Sequence, residues 1–202
     1  MRKIAALIFP GFELLDVFGP MEMFGMLTKE YQLEFVAETV GAIPSNQKLS
    51  AHATTTIQDE SEYDILFVPG GAGTRREVKN SNLLDWIAET SEKAEYTLSV
   101  CTGSALLAKA GVLDNRRATT NKAAFKWVMS QGPNVDWVRK ARWVKDGPFI
   151  TSSGVSAGMD MTLGAIAEMH GEDVARNVAK WCEYTWHDDK EWDPFAELHG
   201  LV

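Results

Sequence analysis

The sequence Ser99-Val100-Cys101-Thr102-Gly103-Ser104 sets a thiol where an apolar run ends and an alanine- and leucine-rich stretch begins. Small residues on both sides permit a sharp strand-to-helix turn that pushes the side chain out at the top of a sheet, the geometry of a nucleophile elbow. Free N–H groups at the start of the following helix favour thiolate over thiol, so an activated sulfur is expected there. The alternative is a buried cysteine serving as a small hydrophobe. A second segment, Val68-Pro69-Gly70-Gly71-Ala72-Gly73, follows another apolar run. Its glycines let the main chain approach a ligand and aim N–H groups at it. It lacks the Lys-Ser/Thr of a P-loop and the spacing of a dinucleotide fingerprint, so it reads as a tight turn or, beside a nucleophile, as an oxyanion hole. The third segment, Phe9 to Asp16, ends in a carboxylate among Leu14, Leu15, Val17 and Phe18. Asp16 is either a cap for a helix restarting at Pro20 or a half-buried acid. Near Cys101 it would share a proton with the sulfur, the two charges repelling.

The elements that must position these groups alternate. Ile4–Phe9, Leu33–Ala37, Tyr63–Val68, Tyr96–Val100 and Phe149–Thr151 read as strands, the first a continuous apolar run of the kind covered on both faces. Leu14–Leu27 reads as a helix kinked or restarted at Gly19-Pro20. Asn80–Lys93, capped by Asn80 or Ser81, Ala105–Ala110, Ala123–Met129, Asp160–Glu168 and Glu172–Tyr184 read as helices. On the last, Val174, Ala175, Val178, Ala179, Trp181 and Cys182 are placed on one apolar side. Residues 41–57 suggest a small hairpin, and 135–144 one or two strands. The alternation predicts an α/β sandwich with a mostly parallel sheet, whose ligands gather beyond the strands' carboxyl ends.

The 202 residues carry no repeat or linker and are taken as a single domain, 1–202. With 45% hydrophobic and 24% charged residues the chain has a globular composition. A net charge of −8 argues against a nucleic-acid or anionic-membrane partner. No apolar run approaches the ~20 residues that span a bilayer. The basic, apolar N-terminus is broken by Pro10-Gly11 and reads as a strand rather than a signal peptide, so a cytoplasmic protein is expected. Cys101 and Cys182 do not make a disulfide scaffold, and Cys182 is read as core. His52, His170, His187 and His199 lack metal-motif spacing, so no metal is expected. His187 is read as a solvated helix end, and the pairs Arg75-Arg76 and Arg116-Arg117 as facing solvent. The many tryptophans suit a core and a subunit interface.

Taken in order, Phe9-Pro10-Gly11 to Leu15-Asp16, Gly19-Pro20, Asp64 to Gly71, Val100-Cys101-Thr102-Gly103, Leu113 to Thr120 and Thr151 to Asp160 resemble the ThiJ/PfpI superfamily over nearly the whole chain. The set also resembles that superfamily's isonitrile hydratase branch. The resemblance implies a flavodoxin-like three-layer α/β sandwich, usually a homodimer. It implies Cys101 as nucleophile, Asp16 as general acid and base, and Thr102 as the residue completing the site. N–H groups at Gly71 and Thr102 would form the anion-stabilising pair. Gly70, Ala72, Ser153 and Gly154 would border the substrate. Many relatives carry a histidine near Asn121-Lys122, where this chain has none, which disfavours a peptidase and suits a branch working with Cys and Asp. The expected activity is cofactor-independent hydration of a small-molecule isonitrile to an N-substituted formamide. The alternatives are a redox sensor, a glyoxalase-like enzyme, or a ligand-sensing module related to the amidase-like domains of AraC-type regulators. The Thr151–Gly158 segment is expected to line the pocket and to shift with the charge of the thiol.

Overall fold

Along the chain, described here over residues 1–202 in a computed structural model, β1 (Arg2–Leu7) leads through a loop into α1 (Leu14–Gly25) and β2 (Tyr31–Ala37). A hairpin of β3 (Gly41–Pro44) and β4 (Ser50–Ala53) precedes the short β5 (Thr55–Thr56). Then come β6 (Ile65–Val68), α2 (Thr74–Glu77), α3 (Ser81–Lys93), β7 (Tyr96–Ser99) and α4 (Gly103–Lys109). The remainder runs β8 (Arg117–Ala118), α5 (Phe125–Met129), β9 (Asp136–Trp137), β10 (Trp143–Asp146), β11 (Phe149–Ser152), α6 (Ala157–His170), α7 (Glu172–Trp181) and α8 (Phe195–Leu198).

Seven strands form one sheet in the order β10-β11-β7-β6-β1-β2-β5, parallel throughout except for the β10–β11 edge pair. The central strands explain the continuous apolar runs. Ile4 to Leu7 and Ile65 to Val68 are wholly buried because helices cover both faces, α1 and α6 on one side, α3 and α4 on the other. The sheet, with these two helical layers, is the α/β sandwich expected from the alternating pattern and the flavodoxin-like fold that the resemblance implies. Because β6 and β7 are adjacent and parallel, the Gly70-Gly71 turn and the Cys101 turn emerge side by side at the same end of the sheet. That juxtaposition follows from register: Val68 pairs with Ser99.

The structure corrects several local expectations. Helix α1 runs through Gly19-Pro20 without restarting. Pro20 gives up only the hydrogen bond to the Asp16 carbonyl. Gly19 is required by packing, since a Cβ there would sit 2.7 Å from Cγ of Met159 on α6. Residues 41–57 form the expected hairpin, but β5 continues into the main sheet beside β2. Region 135–144 contributes two strands, and β9 pairs with β8 rather than with the main sheet. Asn80 caps α3, accepting from the Leu83 N–H. On α7 the buried stripe is Ala175, Val178 and Ala179, spaced i, i+3, i+4, with Cys182 half-buried at i+7. Trp181 lies off that stripe and is 76% exposed, against expectation. His187 is half-buried, its main-chain N–H donating to Asp160 and its ring packed against Trp192. The arginine pairs face solvent as expected, Arg116 half-buried, with Arg76 reaching the Pro10 carbonyl and Glu77 and Arg75 lying over the Trp127 ring.

Candidate active site

Cys101 sits between β7 and α4 with φ of +57°, a left-handed conformation uncommon for a residue with a side chain. The strain is held by main-chain anchors on three sides. The Cys101 N–H donates to the Ser153 carbonyl at 3.2 Å. Its own carbonyl accepts from Thr120 Oγ1 at 2.8 Å and Ser104 Oγ at 3.1 Å. Gly103 lets the elbow close on β6, since a Cβ there would strike the Val68 and Pro69 carbonyls. The elbow predicted from residue types is therefore present, with Thr120 an anchor that the sequence pattern did not reveal.

Asp16 approaches from the first turn of α1 and is fully buried. Its Oδ2 accepts the Gly70 N–H at 2.9 Å, while Oδ1 has no hydrogen-bond partner. Glycine is mandatory at position 70. A Cβ there would lie 2.5 Å from the Thr102 nitrogen, 2.7 Å from Thr102 Oγ1 and 2.9 Å from Asp16 Oδ2. These distances show how tightly the three loops converge. Burial, with the nearby charge of Glu13, pushes the Asp16 carboxyl from its ordinary 3.8 up to about 8, although the Gly70 N–H and the Cys101 side chain pull the other way. Burial is thus the main cause of the raised value, in place of the thiolate repulsion inferred from sequence.

The thiol also departs from expectation. Burial and the neighbouring Asp16 carboxylate push the Cys101 pKa well above the usual thiol range. Three donors partly offset this: the Thr102 N–H, the Asn121 side chain and the Thr102 hydroxyl. Desolvation outweighs the start of α4, so the resting sulfur is a thiol. Asn121 is the polar side chain beside the sulfur. Its Oδ1 accepts from the Ala124 N–H at 3.0 Å, which turns its amide nitrogen away from that bond and toward Cys101. A Cβ added to Gly154 would meet that amide and would lie 2.9 Å from Cys101 Sγ. Gly154 therefore keeps the space behind the sulfur open.

The expected anion hole is rearranged. The Gly71 N–H donates to Thr102 Oγ1 at 3.0 Å, and the Gly70 N–H is held by Asp16. Thr74 supports this corner by donating to the Gly71 carbonyl at 2.7 Å, with its oxygen 3.1 Å from Thr102 Oγ1. The Thr102 hydroxyl is thereby occupied as a brace. The main-chain N–H of Ala72 has no acceptor within the chain, and that of Thr102 is directed at the Cys101 sulfur. Both residues, with Cys101, Glu13, Arg75 and Asn121, line a cavity of about 310 Å³. Ser153 and Gly154 line an adjoining cavity of about 340 Å³ together with Leu15, Asn121, Phe195 and His199. No histidine lines the Cys101 cavity. A larger hollow of about 740 Å³ lies elsewhere, between residues 57–63 and α3, and contains no nucleophile.

The profile of the DJ-1/PfpI family matches residues 2–168. An isonitrile hydratase from Pseudomonas putida is 35% identical over 182 residues, which cover 90% of this chain and 78% of that protein. The HTH-type transcriptional regulator CdhR from Pseudomonas aeruginosa is 28% identical over 86% of this chain but only 52% of its own length. The crystal structure of a ThiJ/PfpI family protein from Pseudomonas syringae superposes with a TM-score of 0.84 and 31% identity, covering 91% of this chain and 75% of that one.

Proposed function

The chain belongs to the DJ-1/PfpI family, and from that premise we propose that it hydrates isonitriles, R–N≡C, to N-substituted formamides, with Cys101 as nucleophile and Asp16 as proton carrier. The observation that carries this reading is the buried meeting of one thiol and one carboxyl with no histidine lining the cavity at the thiol. An amide-cleaving Cys–His pair cannot be assembled there. A cysteine–carboxyl pair suits the isonitrile carbon, which accepts both a nucleophile and a proton.

The pair works when it holds one proton between the two groups. Asp16 takes the thiol proton as Cys101 sulfur bonds to the terminal carbon, then delivers it to that same carbon. The product is a thioimidate, R–N=CH–S–Cys101, in which the thiol has added across carbon. Covalent addition divides a hard hydration into two easier steps. Asp16, again ionised, draws a proton from water as its oxygen attacks the thioimidate carbon, and the nitrogen is protonated. Collapse of R–NH–CH(OH)–S–Cys101 expels the sulfur, and the hydroxyl proton returns to the pair as the formamide leaves. The Ala72 and Thr102 N–H groups are the donors that meet charge developing on the adduct. One such donor is typically worth ~3–4 kcal/mol of barrier.

The experiment is formamide production from a simple alkyl isonitrile, followed by NMR, for the wild type, Cys101→Ala and Asp16→Ala. Undiminished turnover by Cys101→Ala rejects the mechanism. No turnover by the wild type rejects the substrate. A second reading, a ligand-sensing module, is supported by the similarity to CdhR. It would show saturable binding of a small molecule without conversion. A peroxide-sensor reading is weakened by the protonated state of the thiol, since oxidation follows thiolate character.

A further inference from the structure

The family profile ends at residue 168, yet the chain beyond it returns to the Cys101 region. Two buried ion pairs fasten this return. Asp160 on α6 pairs with Arg142 at 2.5 Å, and its Oδ1 accepts from the Tyr184 hydroxyl at 3.0 Å and the His187 N–H at 2.9 Å. Farther along, Asp193 pairs with Lys122 at 3.3 Å, both side chains at most 1% exposed. Lys122 donates as well to Thr119 Oγ1 at 2.7 Å and to the Ala141 carbonyl at 2.9 Å. Asp193 Oδ1 accepts the Phe195 N–H at 3.0 Å, which sets the start of α8. Behind α8, Ala196 and Leu201 pack with Phe125 in a small core of their own. Position and orientation of α8 are therefore fixed from within.

This strap holds Phe195 and His199 at the cavity of about 340 Å³ that also touches Leu15, Ser153 and Gly154. That cavity shares Asn121, Ala123 and Val155 with the Cys101 cavity, so the two spaces lie side by side at the side chain beside the sulfur. Phe195 remains 44% exposed and Leu15 42%, although buried charges hold the segment that carries Phe195. A fixed segment that leaves two apolar side chains open next to a nucleophile has the form of a binding wall.

We propose that Phe195 and His199 form a subsite for the substrate's side group, so that the strap beyond the family domain, locked by Asp193 and Lys122, selects an aromatic or bulky apolar R group over a small one. The choice of isonitrile as substrate rests on the function proposed above; the subsite itself does not. The test is competition between benzyl isonitrile and methyl isonitrile. Phe195→Ala is expected to lower the benzyl-to-methyl ratio of kcat/KM at least fivefold. Phe195→Leu should recover part of the ratio, and Asp193→Asn, which frees the strap, should lower it in the same direction. A ratio unchanged or increased in Phe195→Ala and Asp193→Asn, with native circular dichroism, overturns the proposal. If the wild type converts neither isonitrile, the hydratase reading has failed. The subsite is then read from alkylation of Cys101 by N-benzyliodoacetamide relative to iodoacetamide, with the same fall expected in Phe195→Ala. A constant alkylation ratio overturns it.

Discussion

The Gly70 N–H donates to Oδ2 of Asp16 at 2.9 Å, and nothing donates to Oδ1. Burial strips this carboxylate of water, and the Gly70 N–H and the Cys101 side chain offset that loss only in part, which is why its proton is retained to about pH 8. Below that value the Asp16–Cys101 pair carries two protons and lacks a base. We predict that kcat/KM for an isonitrile rises with pH and levels off above about 8. A pH–rate profile checks this; a rate that falls through the same range would assign the catalytic proton elsewhere.

The same group makes stability depend on pH. Asp16 in the folded protein binds a proton that the unfolded chain releases near 3.8. Its contribution is fully present below about pH 4, declines as pH rises, and is exhausted above about 8. Each pH unit by which a pKa is moved corresponds to ~1.4 kcal/mol. Asp16→Asn removes the ionisation while keeping an acceptor for Gly70. It is expected to abolish turnover and to raise Tm at pH 8 relative to the wild type, with a smaller difference at pH 5. Calorimetry at the two pH values is the measurement.

Asn121 offers a different handle. Its amide is one of three donors that favour the thiolate of Cys101. Asn121→Ala should leave the fold intact and slow iodoacetamide alkylation of Cys101 severalfold at fixed pH. Asn121→Asp places a second carboxylate by the sulfur and should slow it further. Equal alkylation rates in all three proteins would show that the amide has no bearing on the sulfur.

Gly70→Ala tests the convergence of the loops. Its Cβ would strike the main-chain nitrogen of Thr102, which cannot move without shifting the Cys101 elbow. Overpacking of this kind costs typically ~1–3 kcal/mol. The expected result is a lower urea midpoint together with loss of turnover, measured by denaturation and by the NMR assay.

Helix α1 exposes Leu15 and Phe18 beside Leu49 around an apolar hollow of about 620 Å³. Exposed apolar clusters of this sort mark contact surfaces. With the pairing that the family resemblance implies, the wild type is expected to sediment as a dimer and Phe18→Asp as a monomer.

The parts of the molecule legible in the sequence are those governed by local pattern. Ile4–Phe9 and Ile65–Val68 read as strands because burial on both faces leaves no polar position in them. The elbow at Cys101 read correctly because small residues after a strand leave few other conformations. Helix α1 is harder to read, since Pro20 ordinarily ends a helix, and here it lies inside one that is buried against the rest of the fold. The protonation of the thiol could not be read, because it depends on how deeply three separate loops bury one another. The anion hole failed for a similar reason: Gly71 loses its N–H to Thr102, a residue of another loop, with Thr74 bracing both. Asn121 carries no local signal either, since only the fold brings its amide to the sulfur.

The left-handed turn at Cys101 has a consequence for inheritance. Holding a side-chain-bearing residue there costs on the order of 1–3 kcal/mol, which a glycine would avoid. Wherever a descendant of this domain no longer uses the sulfur, random substitution toward glycine at that site is rewarded with a sturdier protein. A cysteine found at so awkward a bend is what the proposed chemistry would demand, since a mere space-filler would have no reason to resist that drift.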